Sequence, residues 1–313
     1  MNKRLVLFCA FVFLLHASAS FARQIVVGIS TPTADHGWTG GIVWWSEKAV
    51  KDLGKSHPDI KFIYLASDTD KVQARDVEAM LEQGMEALVI LPHKPAPLTT
   101  ALNKVNKEGA YIVVVDRSIP KVPKNVYLSG DNYGFGRKCG DHMAAALHGK
   151  GNIVVMEGIP CEGNTLRVNG FKDGIRDFPE IVVLDSQPAY WNPDKAYELM
   201  QQFLQQFPEI DAVWCGDDDV LEGAIKAYEE SGRKDIQFFL GGGGSQNIIK
   251  RIMDNDPLVP ATVTYPPQMI FEGVRIAVEH LTTGKSFAKE IVIPSEIVTR
   301  ENAKEYFYPG SIY

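Results

Sequence analysis

The sequence predicts an α/β protein made of two doubly wound parallel-sheet lobes, and three observations support this fold class. Short apolar runs alternate with segments of helical periodicity along nearly the whole chain, which is typical of parallel sheets covered by helices on both faces. Residues 111–115 are apolar without interruption, as expected of a strand buried on both faces. The chain has more strand-then-helix units than one ordinary doubly wound sheet holds, so we expect two sheets in tandem.

The first half contains strands and helices in strict alternation. Each predicted helix has apolar residues spaced along one face, and Gly84 and Gly109 end two of them. Pro92 ends the third strand. The predicted order is strand 25–29, helix 41–55, strand 61–66, helix 72–83, strand 87–91, helix 98–107 and strand 111–115.

The pattern restarts after a turn-prone break. Ser129-Gly130-Asp131 interrupts it, and we interpret residues 128–131 as the seam between the lobes. The second half is predicted as helix 133–147, strand 152–157, helix 165–178, strand 181–186, helix 193–207, strand 212–215, helix 219–231, strand 237–240, helix 245–254, strand 261–264 and helix 267–281.

The first 22 residues have the three parts of a secretory signal peptide. Lys3 and Arg4 precede an apolar run over residues 5–15, which is too short to span a bilayer. Ser20 and Ala22 are the small residues of a cleavage site. We therefore expect residues 1–22 to be removed on export, and a Gram-negative periplasm fits the remaining protein.

Composition and charge exclude several classes of partner. The formal net charge of −7 becomes about −9 once Lys3 and Arg4 are removed. This balance argues against nucleic acid, which needs a basic footprint, and against anionic membrane surfaces. No later run reaches the ~18 apolar residues of a membrane helix, and we expect a monomer in water.

Cysteine usage indicates neither a metal site nor a cofactor. Cys139, Cys161 and Cys215 follow the signal, and an odd number leaves at least one thiol unpaired. The chain has no CxxC and no metal-type spacing of ligands. A disulfide between Cys139 and Cys161 is possible, and the sequence does not decide whether it forms.

Polar and aromatic residues at the carboxyl ends of predicted strands are the candidate ligand-binding residues, because ligands of open parallel sheets bind there. Asp116 and Arg117 directly follow strand 111–115. A carboxylate that accepts from hydroxyls and a guanidinium that donates suit a polyhydroxylated ligand, and a structural ion pair is the alternative. Trp38 and Trp191 lie in predicted strand-end loops, where an aromatic face stacks on a sugar ring or packs in the core.

Three further segments have both a functional and a structural interpretation. Arg167 falls in the first turn of a predicted helix, where the dipole disfavours a cation, so we expect a ligand contact or pairing with Glu162 or Glu157. One of the acids Asp217, Asp218 and Asp219 is expected to cap a helix, and their spacing disfavours a cation site. Glycines 241–244 lack the register of a phosphate loop and are predicted to form a tight turn close to the ligand.

An enzyme is the weaker interpretation of these residues. His36 and His93 are candidate acid–base groups, but no nucleophile, base and orienting residue form a visible set. The Gly-x-Ser-x-Gly elbow is also absent.

A series of motifs occurs in a specific order and spacing across nearly all of the exported chain. They occupy residues 26–31, 113–117, 157–160 with 167–171, 187–191, 212–218 with 222–224, and 261–264. Together they resemble the type I periplasmic sugar-binding proteins, the ribose-binding-like solute receptors of ABC transporters. The resemblance implies one lobe from residues 23–129 plus 266–293 and another from residues 130–265 plus 294–313. It places three hinge crossings near residues 129–131, 264–266 and 294–295.

The same resemblance implies the residues around the ligand. Asp116 and Arg117 would hold ring hydroxyls from the first lobe, and the loop 35–38 would add polar and aromatic contacts. Arg167, Trp191 and Asp217 would contribute from the second lobe. The expected set is Asp35, His36, Trp38, His93, Asp116, Arg117, Arg167, Trp191, Asp217, Tyr265 and Gln268.

Departures from the family pattern argue against ribose itself. Leu91 stands where ribose-type receptors have an amide, and Gly243 stands where many members have an Asp. Asp217 replaces an Asn, and Tyr265 replaces a Gln, with Gln268 nearby. Another pentose, a hexose or a linear polyol fits as well.

The sequence thus predicts a receptor that delivers a sugar or sugar alcohol to the membrane permease of an ABC transporter. The alternative is a sensor that presents its closed form to a chemoreceptor or histidine kinase. A secreted carbohydrate-acting enzyme is the third and weakest hypothesis.

Overall fold

The computed structural model describes residues 24–34 and 36–313, in which two six-stranded sheets are flanked by helices. The predicted fold class is confirmed. The signal peptide predicted over residues 1–22 lies outside the described residues. Within the described part of the chain, no helix combines the length and the apolar character that a membrane crossing requires.

The first sheet is built mainly from the first half of the chain. Its elements are β1 (Ile25–Pro32), α1 (Gly37–Ser56), β2 (Ile60–Ser67), α2 (Asp70–Glu82), β3 (Ala87–Ile90), α3 (Pro95–Lys107), β4 (Tyr111–Val115) and β5 (Val126–Gly130), later joined by α9 (Met269–Thr283) and β11 (Glu290–Ile293). The strand order is β11-β5-β4-β3-β1-β2, and all of its pairings are parallel. Strands β3 and β4 are wholly buried, as the continuous apolar runs predict.

The second sheet repeats this plan. Its elements are α4 (Asn132–Ala146), β6 (Lys150–Glu157), α5 (Glu162–Ile175), β7 (Glu180–Pro188), α6 (Pro193–Gln206), β8 (Ala212–Cys215), α7 (Asp218–Ser231), β9 (Phe238–Gly243), α8 (Gln246–Met253), β10 (Ala261–Thr264) and β12 (Ile297–Thr299), followed by a 3-10 helix (Ala303–Tyr306). The strand order is β12-β10-β9-β8-β6-β7, and β12 runs antiparallel to β10.

The chain passes between the two sheets at three places. It leaves β5 for α4, returns from β10 to α9, and leaves β11 for β12. One apolar cluster runs through both halves, from Trp45 in α1 through Phe135 in α4 to Trp214 in β8. The two halves therefore share part of their core next to these crossings.

The seam is shorter than predicted, because residues 128–130 belong to β5. Gly130 was interpreted as a turn signal, but its missing side chain makes room for an aromatic ring. A Cβ there would lie 2.3 Å from the ring of Tyr265. A glycine inside a strand commonly marks such a close approach.

The glycine run is also placed differently from the prediction. Residues 241–243 form the end of β9 and not a tight turn. A Cβ on Gly242 would lie 2.0 Å from the ring of Phe135, and one on Gly241 would lie 2.5 Å from Asp218. The glycines thus accommodate the protein's own side chains.

Two helices begin earlier than predicted, and this moves candidate site residues. Helix α1 begins at Gly37, so Trp38 lies in its first turn and not in a loop. Helix α5 begins at Glu162, so Arg167 lies in the second turn and the predicted misfit with the helix dipole is absent.

The three cysteines in the described part of the chain are free thiols. Cys139 and Cys215 are buried, and Cys161 is exposed. The Cys139–Cys161 disulfide that the sequence left open is therefore not formed in this structure.

Candidate ligand-binding site

A chain of hydrogen bonds joins the carboxyl ends of the two sheets. The Tyr265 hydroxyl donates to Asp116 Oδ1 over 2.6 Å and accepts from Asn132 Nδ2 over 3.1 Å. Asn132 Oδ1 in turn accepts from Arg167 Nε over 2.8 Å. Three of the predicted site residues, Asp116, Tyr265 and Arg167, are thus connected from the first sheet to the second.

Arg167 is a buried cation surrounded by aromatic faces. Its side chain is 6% exposed, and its guanidinium carbon lies 4.2 Å from the ring centroid of Phe135 and 4.5 Å from that of Tyr265. The Nη1 atom donates to the Gly216 carbonyl over 2.7 Å. The Nη2 atom makes no hydrogen bond to the described residues, so this donor is available to a ligand.

The structural alternative for Arg167 is not realised, because neither Glu162 nor Glu157 pairs with it among the described residues. Glu157 instead accepts from Asn164 Nδ2 over 3.1 Å and from Ser186 Oγ over 2.7 Å. The guanidinium is therefore held in place by neutral acceptors and aromatic rings. Such an arrangement favours a further acceptor supplied by a ligand.

Asp116 and Arg117 project from the end of β4 in a left-handed turn. Asp116 has φ +60°, and its carbonyl accepts from the Tyr127 hydroxyl over 2.6 Å. The Asp116 side chain is 15% exposed, and its Oδ2 lies 3.9 Å from Arg117 Nε. This pairing is long, so Oδ2 keeps capacity to accept from a ligand.

His93 lies beside this pair. Its backbone N–H donates to Gln73 Oε1 over 2.7 Å, and its carbonyl accepts from Arg117 Nη1 over 3.4 Å. Gln73 is fully buried and also donates to Ser30 Oγ and the Leu91 carbonyl. Gln73 therefore fixes the loop that carries His93.

Trp191 lies on a loop whose backbone turns sharply. Both Tyr190 and Trp191 have left-handed φ values, +60° and +53°. The guanidinium of Arg167 lies 5.7 Å from the Trp191 ring centroid. Trp191 thus lies near Arg167 at the carboxyl edge of the second sheet.

The three consecutive aspartates have three different tasks. Asp217 Oδ1 accepts from Val220 N and caps α7, which is the task predicted for one member of the run. Asp218 accepts from the backbone N–H groups of Gly244 and Ser245. Asp219 Oδ2 accepts from Gly37 N over 3.0 Å and so links the second half to α1.

Burial shifts the pKa of all three carboxyls in the same direction. Burial raises the pKa of Asp218 to about 7, although Ser245 N–H and the Thr262 hydroxyl favour the ionised form. Burial and the neighbouring Asp219 raise the pKa of Asp217 well above its usual value. Burial also raises the pKa of Asp219. No group of His, Cys, Asp and Glu within residues 24–34 and 36–313 is arranged to hold a metal ion.

The remaining predicted residues lie at the start of α1 and α9. Trp38 is 8% exposed and its Nε1 donates to the Tyr265 carbonyl over 2.8 Å, so that donor is already used. His36 precedes α1 and lies near Asp219, where it partly offsets the rise that burial gives the pKa of that carboxyl. Gln268 is half-buried before α9, where its carbonyl accepts from Glu272 N, and the contacts described above do not reach its side chain. Asp35 lies outside the described residues.

Sequence reasoning missed two residues that complete the network. Asn132 lies two residues after the end of β5, and the rule that selects strand ends would have found it had residues 126–130 been recognised as a strand. Gln73 lies in the middle of α2, where no strand-end rule applies.

Three buried polar atoms near these residues have no hydrogen-bond partner in the described part of the chain. They are His93 Nδ1, Trp191 Nε1 and the Tyr313 hydroxyl. Buried polar groups are nearly always paired, and an unpaired one costs about 1–3 kcal/mol. Each of these atoms therefore keeps hydrogen-bonding capacity that a polar ligand would satisfy.

Comparison with known proteins identifies the family of this chain. Residues 27–286 match the family described as periplasmic binding protein domain. The chain is 28% identical to the ribose import binding protein of Bacillus subtilis (strain 168), over 89% of this chain and 88% of the relative.

Two solved structures are similar as well. An ABC transporter solute binding protein from Bacillus halodurans C-125 with bound myo-inositol has a TM-score of 0.77 and 25% identity, covering 90% of this chain and 97% of that one. The fructose-binding periplasmic domain of a hybrid two-component system has a TM-score of 0.74 and 27% identity, covering 90% and 94%. With most of its length matched and its polar groups gathered between two sheets, the chain belongs to the periplasmic binding protein family.

Proposed function

We propose that this chain is a solute-binding protein that captures a sugar or sugar alcohol between its two lobes and delivers it to the permease of an ABC transporter. One observation carries the proposal. The facing strand ends hold a buried guanidinium with a free donor and buried polar atoms without partners, next to an aspartate with a free oxygen. A guest rich in hydroxyls satisfies donors and acceptors together.

Different side chains contact different parts of such a ligand. Asp116 Oδ2 accepts from a hydroxyl, while Arg167 Nη2 donates to a ring or hydroxyl oxygen. Trp191 offers an apolar face to the C–H side of a sugar ring. The relatives named for ribose, myo-inositol and fructose bind compounds of this class.

Binding is coupled to closure of the two lobes. We assign one lobe to residues 23–129 plus 266–293 and the other to residues 130–265 plus 294–313, with hinges at the three crossings. Bonds between the halves, such as Asp219 Oδ2 to Gly37 N, form only when the lobes are close. A ligand that contacts both edges stabilises the closed form, as a shift of an existing equilibrium requires.

The proposed setting is the periplasm, reached through a signal peptide at residues 1–22. There the protein acts as a monomer without a cofactor, and its closed form is what the permease receives. We propose a binding protein and no catalytic activity, in line with the relatives named as import binding proteins.

Titration calorimetry with the protein lacking residues 1–22 tests the proposal. The panel contains ribose, arabinose, xylose, galactose, fructose, myo-inositol and xylitol. We expect saturable binding of at least one member and a smaller radius of gyration with that member bound. A folded protein that binds no member, or that binds one without compaction, contradicts the proposal.

A sensory role is the second candidate, and the similarity to a periplasmic domain of a two-component system favours it. The two roles share the pocket and differ in the protein that receives the closed form. Deleting the gene abolishes uptake of the ligand if the protein serves transport. Unchanged uptake together with loss of a ligand-induced response assigns the chain to sensing.

A further inference from the structure

Residues 307–313, here called the strap, lie between the two halves of the molecule. Gln246 at the start of α8 holds the strap in place. Its Oε1 accepts from Tyr308 N over 2.6 Å, and its backbone N–H donates to the Ile312 carbonyl over 3.1 Å. Gln246 is 7% exposed, so these bonds anchor the strap to the second half in a buried setting.

The end of the strap fits a cradle of glycines from both halves. A Cβ on Gly41 of α1 would lie 2.7 Å from Tyr313 Cβ, and one on Gly243 of β9 would lie 2.6 Å from Tyr313 Cε1. A Cβ on Gly40 would lie 2.2 Å from Ile312 Cδ1. A larger residue at position 41 or 243 would collide with Tyr313, so these two glycines and the Tyr313 side chain are matched in shape.

Tyr313 is buried at the carboxyl edge where the candidate site lies. It is 3% exposed, and its ring touches β9 at Gly243, whose carbonyl accepts from Tyr265 N over 3.2 Å. The Asp219 Oδ1 and Tyr313 Cε2 atoms lie 2.3 Å and 2.7 Å from the position that a Gly37 Cβ would take. The ring therefore stands beside the acidic edge of the second half and against α1 of the first.

The hydroxyl of Tyr313 distinguishes a ligand contact from packing. It has no partner in the described residues, although it is fully buried. A phenylalanine would fill the same apolar space without an unpaired polar atom. Burial and the carboxylates of Asp217 and Asp219 raise the pKa of Tyr313, which keeps its hydroxyl protonated and able to donate.

We propose that Tyr313 is a specificity-determining ligand contact, whose hydroxyl donates to one hydroxyl of the bound sugar or polyol and whose ring closes that end of the pocket. This inference rests on the proposed function and adds a residue from the strap to the strand-end residues.

Tyr313→Phe tests the contact, with Tyr308→Phe as the matched control on the same strap. Tyr308 is half-buried and its ring packs against Trp45 with a centroid distance of 5.0 Å. For the tightest ligand of the calorimetric panel, we expect Tyr313→Phe to lose about tenfold in affinity, as one hydrogen bond requires. Tyr308→Phe stays within about twofold of wild type. The melting temperature of ligand-free Tyr313→Phe equals or exceeds that of wild type.

Deoxy analogues of that ligand separate direct contact from an effect on the fold. One analogue binds wild type about tenfold more weakly and shows no further loss with Tyr313→Phe, because the same bond is already missing. Equal affinities of wild type and Tyr313→Phe, or an equal loss for every analogue, overturn the contact and leave the proposed function standing. If wild type binds no member of the panel, both proposals fail.

Discussion

The aspartates at the two facing edges differ in what already binds them. Asp116 of the first half shares one oxygen with the Tyr265 hydroxyl and keeps its other oxygen 3.9 Å from Arg117. The three aspartates of the second half accept from backbone N–H groups. Asp217 caps the start of α7, Asp218 binds residues 244 and 245 after β9, and Asp219 links the second half to α1. Asp218, whose two oxygens accept from two backbone N–H groups and the Thr262 hydroxyl, is therefore expected to stabilise the fold, whereas Asp116 Oδ2 has room to accept from the proposed ligand.

The largest expected effect concerns the most fully bonded aspartate. Asp218→Ala leaves Gly244 N, Ser245 N and the Thr262 hydroxyl without their acceptor, all in a buried region. We expect the free energy of unfolding to fall by about 3 kcal/mol, measured by urea denaturation. Asp254→Ala, which removes an exposed aspartate paired with Lys250, is the control and stays near wild type. A small loss for Asp218→Ala would break the distinction between the two edges.

Asp116→Asn tests the other edge. Asparagine tolerates the φ of +60° and still accepts from Tyr265, so the variant removes charge with little strain. We expect the ligand affinity to fall by about 30-fold, or about 2 kcal/mol, because hydrogen bonds to charged groups are the stronger ones. Calorimetry measures the affinity, and the melting temperature of the ligand-free variant should match wild type. A lowered melting temperature with intact affinity would assign Asp116 to structure.

The pH dependence of the free energy of unfolding gives a further test of the buried Asp218 carboxyl. The pKa of Asp218 is raised from its usual value to about 7, so the folded protein binds more protons than the unfolded chain between about pH 4 and pH 7. The contribution of this group is therefore present below pH 4 and is lost as the pH rises through 7, by at most about 1.4 kcal/mol per pH unit.

Asp218→Asn carries no titrating carboxyl and should flatten that part of the stability profile. Urea denaturation at pH 5, 6, 7 and 8 measures it for both proteins. Parallel profiles of wild type and Asp218→Asn would show that the buried carboxyl does not titrate in this range.

The smallest expected effect concerns stacking at the second edge. Trp191→Ala removes the indole face beside Arg167, and we expect a loss of about 1 kcal/mol in binding, or about fivefold in affinity. Tyr190→Ala is the control, because the neighbouring Tyr190 has a similar backbone conformation and is 49% exposed. Equal affinities of the two variants would remove Trp191 from the site.

Much of the fold could be predicted because buried parallel strands are continuous in apolar residues, as β3 and β4 are. The edge strands β11 and β12 were missed, since β11 alternates exposed and half-buried residues and β12 has three residues. Gly130 and glycines 241–243 look like turns in the sequence, but they lie in strands that tertiary packing brings against aromatic rings.

Candidate site residues could be predicted only where they directly follow a strand that the sequence reveals. Asp116, Arg167 and Trp191 follow predicted strands, and the structure brings them together across the two facing edges. Tyr313 contacts Gly243 of β9, which lies 70 residues earlier in the chain. No local sequence pattern predicts a contact over that separation. The separate tasks of the three aspartates likewise depend on backbone groups that only the folded chain brings near.

The exposure of Cys161 has a practical consequence. Among the cysteines in the described residues, Cys139 and Cys215 are shielded, so a thiol-reactive fluorophore attaches at Cys161. Cys161 immediately precedes α5, the helix that carries Arg167, at the edge of the second sheet. The natural protein therefore offers an attachment point for an optical reporter of the proposed lobe closure, without an engineered cysteine.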